Sequence, residues 1–312
     1  MKPIIVALLL LASVAQGFSQ ACCCTGAGAN YSILPNLDKH VIGLRYSFSH
    51  YSTTTYATYH HMMGGKDMLM TGNGQAGTEN MNTLDLFGRF NLYKGLQLSV
   101  FVPVHFLEER TNGQIKHTSG LGDMSLLLQY SLLDPKKCSG KKSKHQLRVG
   151  AGIKLPSGQF SMNKDGMFST DLQLGTGSVD FLFNTIYTYR YKKFGFNIPV
   201  SYKRNTINPQ QFRFGDKLMG GASVFYVLSP VMDVVLMPSV GLNYSYIFYN
   251  EQKKEKLTNT GGQYLNASAG LDISYKHLAF SAAVSPVLMS ISNWEGQPIP
   301  HVTFETGLYY NF

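Results

Sequence analysis

The sequence predicts an all-β chain, a transmembrane antiparallel up-and-down β-barrel of about 12 strands. Three observations predict it. Apolar and polar residues alternate from residue 41 to the end. Only 14% of the 312 residues are charged, against about 25% in ordinary soluble domains. Long and short connections follow one another along the chain. The 38 Tyr and Phe residues (19 of each) exclude a disordered chain. No apolar run beyond the N-terminus is long enough for a spanning helix.

Residues 1–21 are predicted to be a secretory signal peptide. Lys2 supplies the positive start and residues 4–12 form an apolar stretch. In Ser19-Gln20-Ala21, Ser19 and Ala21 are the small residues at positions −3 and −1 of a possible cleavage site. The alternative is a lipoprotein signal that acylates Cys22, which a bulky Gln20 fits badly. The sequence therefore predicts three parts: the signal peptide, a segment over 22–39 that lies in the periplasm or plugs the barrel, and the barrel over 40–312.

Strict alternation gives the individual strands. In residues 194–203, for example, Phe, Phe, Ile, Val and Tyr occupy one face, and Gly, Asn, Pro, Ser and Lys occupy the other. Such segments average roughly ten residues in membrane barrels. The predicted strands lie near 40–51, 82–93, 95–107, 120–133, 145–155, 179–191, 194–205, 213–228, 232–249, 262–275, 277–289 and 301–312.

The connections predict how the barrel is oriented. Outer-membrane barrels have short periplasmic turns, long extracellular loops and an even number of strands. An even number places both termini in the periplasm. A soluble sandwich would explain the alternation but not this regular asymmetry. The predicted short turns are Lys94-Gly95, Lys192-Lys193, Ser229-Pro230 and Lys276-His277, and the long loops include 52–81, 108–119, 156–178 and 250–261.

The last strand ends in an alternating pattern that includes Tyr310 and Phe312. A terminal aromatic residue on such a strand resembles the assembly signal of bacterial outer-membrane proteins. An aromatic ring is well placed where an apolar bilayer meets water. The sequence therefore predicts location in the bacterial outer membrane, with lipid and the barrel-assembly machinery as partners.

The charged residues within strands are predicted to line the lumen, because a charge facing lipid costs about 2–4 kcal/mol at the midplane. They either form a pore wall that selects solutes or fill the lumen with ion pairs. A narrow or plugged passage is favoured over an open general porin, because about 12 strands lies between a filled barrel and an open channel. The predicted lumen residues are Arg45, Asp85, Arg89, Asp123, Arg148, Lys154, Asp180, Arg190, Lys203, Asp272 and Glu305.

Three Gly-containing motifs carry a family resemblance. They are Gly120-Leu121-Gly122-Asp123, Lys154-Leu155-Pro156-Ser157-Gly158 and the stretch from Leu174 to Asp180. They resemble the outer-membrane transporter family named after the phenol meta-cleavage pathway, which is related in architecture to the long-chain fatty acid channels. The resemblance covers roughly residues 84–205, and Val179 replaces an aromatic residue frequent in that family. It implies uptake of small hydrophobic compounds through a barrel.

The cysteines Cys22, Cys23, Cys24 and Cys138 are predicted on the oxidising periplasmic side. A disulfide from the N-terminal group to Cys138, soft-metal binding by thiolates, and free or removed cysteines stay open as alternatives. His60, His61, Met62 and Met63 could bind copper. They lack the ligand spacing of a metal site, so a polar loop is the favoured interpretation and no metal or other cofactor is predicted.

No enzyme is predicted, since G-x-S-x-G, H-E-x-x-H and Walker motifs are missing from the sequence. His105, with Ser99 on the same strand, is the main candidate for a catalytic base. The net charge is +9, but an exported protein meets no nucleic acid, and the basic run at 136–144 is interpreted as a solvated turn. The predicted function is an outer-membrane channel for small, hydrophobic solutes. The alternative is a structural, adhesion or metal-sensing barrel without transport.

Overall fold

The computed structural model describes residues 39–63, 66–111, 114–133, 143–160, 173–258, 260–292 and 299–312. Within these ranges the regular structure is entirely β. In the same residues no helix has the length and apolarity needed to cross a membrane. The strands are β1 (Val41–Met63), β2 (Lys66–Tyr93), β3 (Leu96–Thr111), β4 (Gln114–Leu121), β5 (Ser125–Leu133), β6 (Ser143–Lys154), β7 (Asp180–Tyr191), β8 (Phe194–Arg204), β9 (Phe212–Arg213), β10 (Lys217–Tyr226), β11 (Leu228–Val231), β12 (Val234–Ile247), β13 (Asn250–Gln252), β14 (Glu255–Leu257), β15 (Gly262–Tyr275), β16 (Leu278–Ser292) and β17 (Ile299–Asn311).

Twelve of the described strands pair in a closed antiparallel ring, in the order β1, β2, β3, β5, β6, β7, β8, β10, β12, β15, β16 and β17. β17 returns to β1, so that Val41 faces Asn311 and Phe48 faces Phe304. β10 pairs with both β8 and β12 and completes the other side. Closure leaves no sheet edge exposed to lipid within the ring, which a membrane requires of β structure. The predicted fold class is confirmed.

The four tightest described turns lie at the barrel end that also holds residues 39–40 and Phe312, which we term the short-turn end. The backbone N–H of His40 donates to the carbonyl of Phe312 at 3.1 Å there. Gly95, Lys192, Asp233 and Lys276 adopt positive φ angles in these turns, as two-residue hairpins require. The predicted turn at Ser229-Pro230 is wrong, because β11 continues the pairing with β12 and moves the turn to Met232-Asp233.

Side chains alternate between the inside and the outside of the ring. Over residues 180–186 of β7 and along β8 every second residue is buried, and the residues between them are exposed or half-buried. The exposed residues are large and apolar, as for Leu86 (54%) and Leu308 (56%). An apolar outer surface around a closed barrel is the structure that the outer membrane of bacteria accommodates. The chain is an outer-membrane β-barrel in architecture.

Two predicted loops are strands instead. Residues 52–63 and 66–81 continue β1 and β2, which stay paired as far as Met63 opposite Lys66. Residues 108–111 and 114–119 belong to β3 and β4, which pair from Val104–Leu121 to Thr111–Gln114. β1 has 23 residues and β2 has 28, and both lengths greatly exceed the roughly 9–11 residues that cross a bilayer. The sequence of these outer parts lacks the regular apolar alternation by which the other strands were predicted, so they were assigned to loops.

The predicted strands at 120–133 and 213–228 are each divided. β4 ends at Leu121 and β5 begins at Ser125, so residues 122–124 interrupt the wall. Phe212–Arg213 forms β9, which pairs with β13, and β13 pairs with β14 in a separate three-stranded sheet. This small sheet lies at the barrel end opposite the short turns, which we term the long-loop end. β9, β13 and β14 therefore pair with one another at the rim and do not lengthen the strands of the barrel wall.

Candidate functional site

The interior of the barrel contains most of the charges predicted to line it. Arg190, Asp272 and Glu305 are partly exposed, and the remaining eight are buried: Arg45, Asp85, Arg89, Asp123, Arg148, Lys154, Asp180 and Lys203. Each of these charged residues that belongs to a strand lies opposite another inward-facing residue on a neighbouring strand, as Arg45 lies opposite Asp85. Asp123 differs from the prediction, because it lies in the interruption between β4 and β5 and not within a strand.

An ion cluster occupies the long-loop end of the interior. It consists of Asp123, Lys154, Thr176 and Asp180, and we term it the Asp123 cluster. The Lys154 ammonium donates to Asp123 and to the Thr176 hydroxyl, and lies 2.8 Å from Asp180. The side chains of Asp123, Lys154 and Asp180 are 1%, 3% and 0% exposed. Buried charges of this kind require paired and hydrogen-bonded partners, and here each carboxylate has several.

Backbone groups complete the hydrogen bonding of both carboxylates. Asp123 accepts from the N–H of Gly158 at 3.0 Å and of Thr176 at 2.8 Å. Asp180 accepts from the Ser178 hydroxyl at 2.8 Å and from the N–H of Thr206 at 3.0 Å. These bonds hold the described ends of the connection between β6 and β7, residues 155–160 and 173–179, against the inner wall. The connection is therefore folded into the barrel mouth at both of its described ends.

The three Gly-containing motifs meet in this cluster. Asp123 comes from the first, Lys154 and Gly158 from the second, and Thr176 and Asp180 from the third. Gly175 has no room for a side chain, because a Cβ there would lie 2.4 Å from Asp123 Oδ1 and 2.7 Å from the Gly158 carbonyl oxygen. The glycine is thus required by a close backbone approach. The spacing of the motifs in sequence gave no sign that they would share one set of contacts.

A second ion pair crosses neighbouring strands. Arg45 on β1 donates through Nε to Asp85 on β2 at 2.9 Å, and its terminal nitrogen also contacts the same oxygen. Both side chains are about 5% exposed or less. The register places the two residues directly opposite one another, so the pair also fixes the alignment of β1 with β2.

The small sheet at the long-loop end is held by a third ion pair. Arg213 on β9 donates two hydrogen bonds to Glu251 on β13, at 3.0 and 2.7 Å. These hydrogen bonds and the Arg213 charge hold the pKa of Glu251 below its usual value. The same contact raises the pKa of Arg213. Phe160 contacts Phe214 beside this sheet, with ring centroids 6.1 Å apart. The sheet and the inward connection therefore pack together over part of the mouth.

A cavity lies within the barrel next to the Asp123 cluster. Its charged lining comes from Asp85, Asp123, Lys154, Lys203 and Lys217. Its apolar lining includes Phe101, Leu127, Leu182 and Met219. It gives about 50 Å³ to the centres of water molecules, which is room for several waters. Lys217 was not among the residues predicted to line the lumen.

Apolar residues inside the barrel were also missed. Phe87, Phe101, Leu127, Leu182 and Tyr309 are buried in one cluster with Val41 and Ala279. Phe87 contacts Phe101 and Tyr309, with ring centroids 5.3 and 6.1 Å apart. Leu86 and Leu308, which are next to Phe87 and Tyr309 in sequence, face the lipid. Both faces of the strand are apolar at these positions, so the hydropathy pattern does not show which face is internal. The interior thus has an apolar wall beside its charged one.

Other predicted residues are distributed as follows. Tyr310 and Phe312 lie on the outer surface at the short-turn end, 45% and 51% exposed, and stack on one another. His105 is buried in the barrel and its Nδ1 lies 2.8 Å from the Thr83 hydroxyl, while Ser99 is buried on the same strand. The predicted signal peptide and the segment over 22–38 lie outside the described residues, as do all four cysteines, Cys22, Cys23, Cys24 and Cys138.

The structure describes the backbone of the candidate copper ligands but not their side chains. His60, His61, Met62 and Met63 belong to the outer part of β1, where they pair with residues 66–69 of β2. The residues predicted to form a polar loop thus lie in paired strands. Among the side chains that the structure describes, no group of three or more His, Cys, Asp or Glu residues is arranged to hold a metal ion.

Comparisons with known proteins agree with the fold. An outer membrane channel from Pseudomonas putida F1 is similar with a TM-score of 0.61 at 15% identity, over 88% of this chain and 96% of that one. The β domain of the Bordetella autotransporter BrkA gives a TM-score of 0.49 at 10% identity, over 88% of this chain and 100% of that one. No protein-family model and no curated protein matches the sequence. The likeness to the Pseudomonas channel supports the barrel architecture, and the resemblance to the phenol-pathway transporter family stays a prediction.

Proposed function

We propose that this protein is an outer-membrane channel that passes small, hydrophobic solutes through a narrow lumen. The observation that carries the proposal is the internal cavity, which has an apolar wall inside a closed membrane barrel. Phe101, Leu127 and Leu182 belong both to that wall and to the buried apolar cluster. In an inert barrel no such cavity is needed, whereas a passage requires internal space bounded by side chains that contact the solute.

The structure of the mouth supports a narrow passage. The ends of the β6–β7 connection are held inward by the Asp123 cluster, and the sheet formed by β9, β13 and β14 packs beside them. These contacts reduce the free cross-section at the long-loop end. The apolar cluster restricts the lumen further along the barrel, and an apolar constriction favours uncharged or apolar solutes over hydrated ions. The resemblance to transporters of small hydrophobic compounds agrees with this substrate class.

Conductance and flux measurements test the proposal. The refolded protein is inserted into planar bilayers and into liposomes, and the ion current and liposome swelling in small neutral sugars are recorded. We expect small currents that benzyl alcohol, an apolar solute, reduces at concentrations where glucose does not. Phe101→Ala removes a ring from the constriction, so we expect a larger current and weaker inhibition by benzyl alcohol.

Phe304→Ala provides the matched control, because Phe304 is 40% exposed on the outer surface. It should leave the current unchanged. A correctly folded barrel with neither current nor swelling contradicts the channel proposal. Currents that benzyl alcohol and glucose affect equally contradict the preference for hydrophobic solutes and leave the channel intact.

One observation favours the alternative of a structural, adhesion or metal-sensing barrel. β1 and β2 extend as a hairpin far beyond the length that crosses a bilayer, and pair out to Met63 and Lys66. Such a hairpin could contact a partner outside the cell. Shortening it by deleting residues 56–74 should abolish adhesion or metal response under this alternative and leave solute flux unchanged under the channel proposal.

A further inference from the structure

Three of the four tight turns at the short-turn end have a tyrosine as the last strand residue and a lysine as the first turn residue. The three pairs, which we term the Tyr-Lys pairs, are Tyr93-Lys94, Tyr191-Lys192 and Tyr275-Lys276. Each tyrosine side chain is exposed, by 73%, 45% and 48% respectively, and each lysine is exposed in its turn. The same pair of residues is therefore presented to the surroundings at three places on one rim of the barrel.

The Tyr-Lys pairs are evenly distributed around this rim. Lys94 lies between β2 and β3, Lys192 lies between β7 and β8, and Lys276 lies between β15 and β16. In the closed ring of twelve strands each of these turns is four strands from the next. The pairs thus divide the circumference into thirds, and every side of the barrel has one of them at the short-turn end.

Cations greatly outnumber acids around the whole rim. Among the described residues within two positions of a strand end here, one acidic side chain, Asp233, accompanies seven cationic ones: Lys39, Lys94, Lys144, Arg190, Lys192, Lys193 and Lys276. No ion pair in the described part of the chain involves any of the seven. At the long-loop end, by contrast, Arg110 pairs with Glu108 and Arg213 pairs with Glu251. The positive charge of the short-turn rim therefore attracts anions from outside the protein.

The tyrosines place the lysines at the depth of lipid headgroups. Tyrosine favours the membrane–water interface, because its ring is apolar and its hydroxyl is polar. The ammonium of Lys192 lies 5.5 Å from the centre of the Tyr191 ring, and that of Lys276 lies 5.2 Å from the centre of the Tyr275 ring. Both distances allow cation–π attraction. An ammonium that is held so close to an interfacial ring lies at the level of the lipid phosphates, while its aliphatic stem covers apolar surface.

We propose that the short-turn rim binds anionic glycerophospholipids of the surrounding leaflet. The headgroup phosphates lie at Lys94, Lys192 and Lys276, and the acyl chains pack against the adjoining tyrosines. Anionic lipid fits this surface because a ring of cations without ion-pair partners borders the apolar wall that lipid already covers. The attraction anchors the short-turn end in that leaflet. This lipid surface is independent of the channel function.

The lipid selectivity of the barrel tests the proposal. The chain from residue 22 onward is refolded into phosphatidylcholine bilayers with a trace of spin-labelled phosphatidylglycerol or spin-labelled phosphatidylcholine. Electron paramagnetic resonance gives the fraction of each label that the protein immobilises, and hence the ratio of the two association constants. A lysine at a membrane surface favours an anionic lipid about fivefold. Because the measurement averages over both leaflets, we expect a ratio of about 3 at low salt. It should approach about 1 in molar NaCl, which screens charges beyond about 3 Å.

Replacement of the three lysines by asparagine removes the charge of each Tyr-Lys pair. Asparagine readily adopts the positive φ angles found at Lys192 and Lys276, so we expect Lys94→Asn/Lys192→Asn/Lys276→Asn to fold. The ratio of association constants should fall by about half, since other rim cations remain. The corresponding triple arginine variant keeps the charges and should keep the wild-type ratio.

The matched control removes three lysines from the long-loop end, in Lys253→Asn/Lys254→Asn/Lys256→Asn. All three are exposed, and Lys253 and Lys254 also have positive φ angles. The control changes the net charge as much as the rim variant does, and it should leave the ratio unchanged. If the triple rim variant does not fold, the single replacements at its three positions are compared with the control, and each should lower the ratio by a smaller amount.

Four outcomes overturn the proposal. A wild-type ratio near 1 at low salt shows that the barrel does not select anionic lipid. A ratio that persists in molar NaCl shows that the selection is not due to charge. Equal decreases in the rim and control variants show that the net charge, and not the rim, attracts the lipid. Loss of selectivity in millimolar glycerol 3-phosphate shows that the rim binds phosphate from water instead of a lipid headgroup.

Discussion

Asp123 is the residue whose replacement tests the arrangement of the barrel mouth most directly. Its carboxylate accepts from Lys154, from the N–H and hydroxyl of Thr176 at 2.8 and 3.1 Å, and from the N–H of Gly158 at 3.0 Å. Asp123→Ala removes all four acceptor contacts. Breaking a buried ion pair by removing one partner costs about 3–5 kcal/mol. Because Lys154 still has Asp180 at 2.8 Å as a partner, we expect the cost of breaking this ion pair to lie at the lower end of that range.

The two backbone N–H groups add to this cost, because each buried donor without an acceptor costs about 1–3 kcal/mol. We therefore expect Asp123→Ala to lower the free energy of unfolding by about 5 kcal/mol or more. Asp123→Asn should cost about half as much, since its amide oxygen still accepts one of these bonds. In both variants residues 155–160 and 173–179 should become sensitive to protease in intact vesicles, and the ion current should rise.

Urea unfolding in micelles, followed by circular dichroism and by the gel mobility of folded barrel, measures the stability. Asp233→Asn is the matched control, because Asp233 is exposed in a short turn with φ of 68°, a conformation that Asn also adopts readily. It should stay within about 0.5 kcal/mol of wild type. Unfolding of Asp123→Ala within that same margin, with unchanged protease resistance, would refute the assignment of the cluster as the anchor of the β6–β7 connection.

Three further predictions concern the same mouth and the far end of the barrel. Gly175→Ala should destabilise the barrel by about 1–3 kcal/mol in urea unfolding, because its Cβ would overlap a buried carboxylate. Gly220→Ala, whose Cβ would meet no atom within 3.8 Å, should be close to neutral, and equal effects would contradict the steric argument. The pKa of Glu251 is lowered by Arg213, so this pair stabilises the small sheet fully above the ordinary Glu pKa of 4.5 and loses its contribution as the pH falls below it. Amide hydrogen exchange in β13 should therefore accelerate below that pH in wild type but not in Glu251→Gln, and pH-independent exchange in wild type would contradict the assignment. Deletion of Phe312 should leave the stability of refolded barrel nearly unchanged and reduce the amount assembled in cells, whereas normal assembly would argue against a terminal signal.

The strands of the barrel could be predicted because each carries its own signal. On β8 small or polar residues alternate with large apolar ones, and the structure buries the first set and leaves the second half-buried or exposed, as that pattern implies. Lys192-Lys193 and Lys276-His277 were recognised as turns because strands of opposite direction meet there without a long insertion. In the outer parts of β1 and β2 the same approach failed, since residues 52–81 lack the apolar alternation on which the prediction depended.

The candidate site was only partly predictable. The inward charges were identified from the cost of placing them in lipid, and this argument needs no knowledge of neighbours. It could not assign partners, so the meeting of Asp123, Lys154, Thr176 and Asp180 was not foreseen. It also missed Phe101, because an apolar residue is compatible with either face of a membrane strand.

The sequence by itself determined that this chain forms a closed β-barrel with charges inside, because hydropathy is a property of single residues and their period. Only the tertiary structure decided which charges pair, which connection folds inward, and which apolar residues line the internal cavity. Those features depend on strand register and on contacts between residues far apart in sequence, such as Asp123 with Lys154 and Thr176, which are 31 and 53 positions away. The free energy of such contacts exists only when the barrel has closed, so no local pattern in the sequence records it.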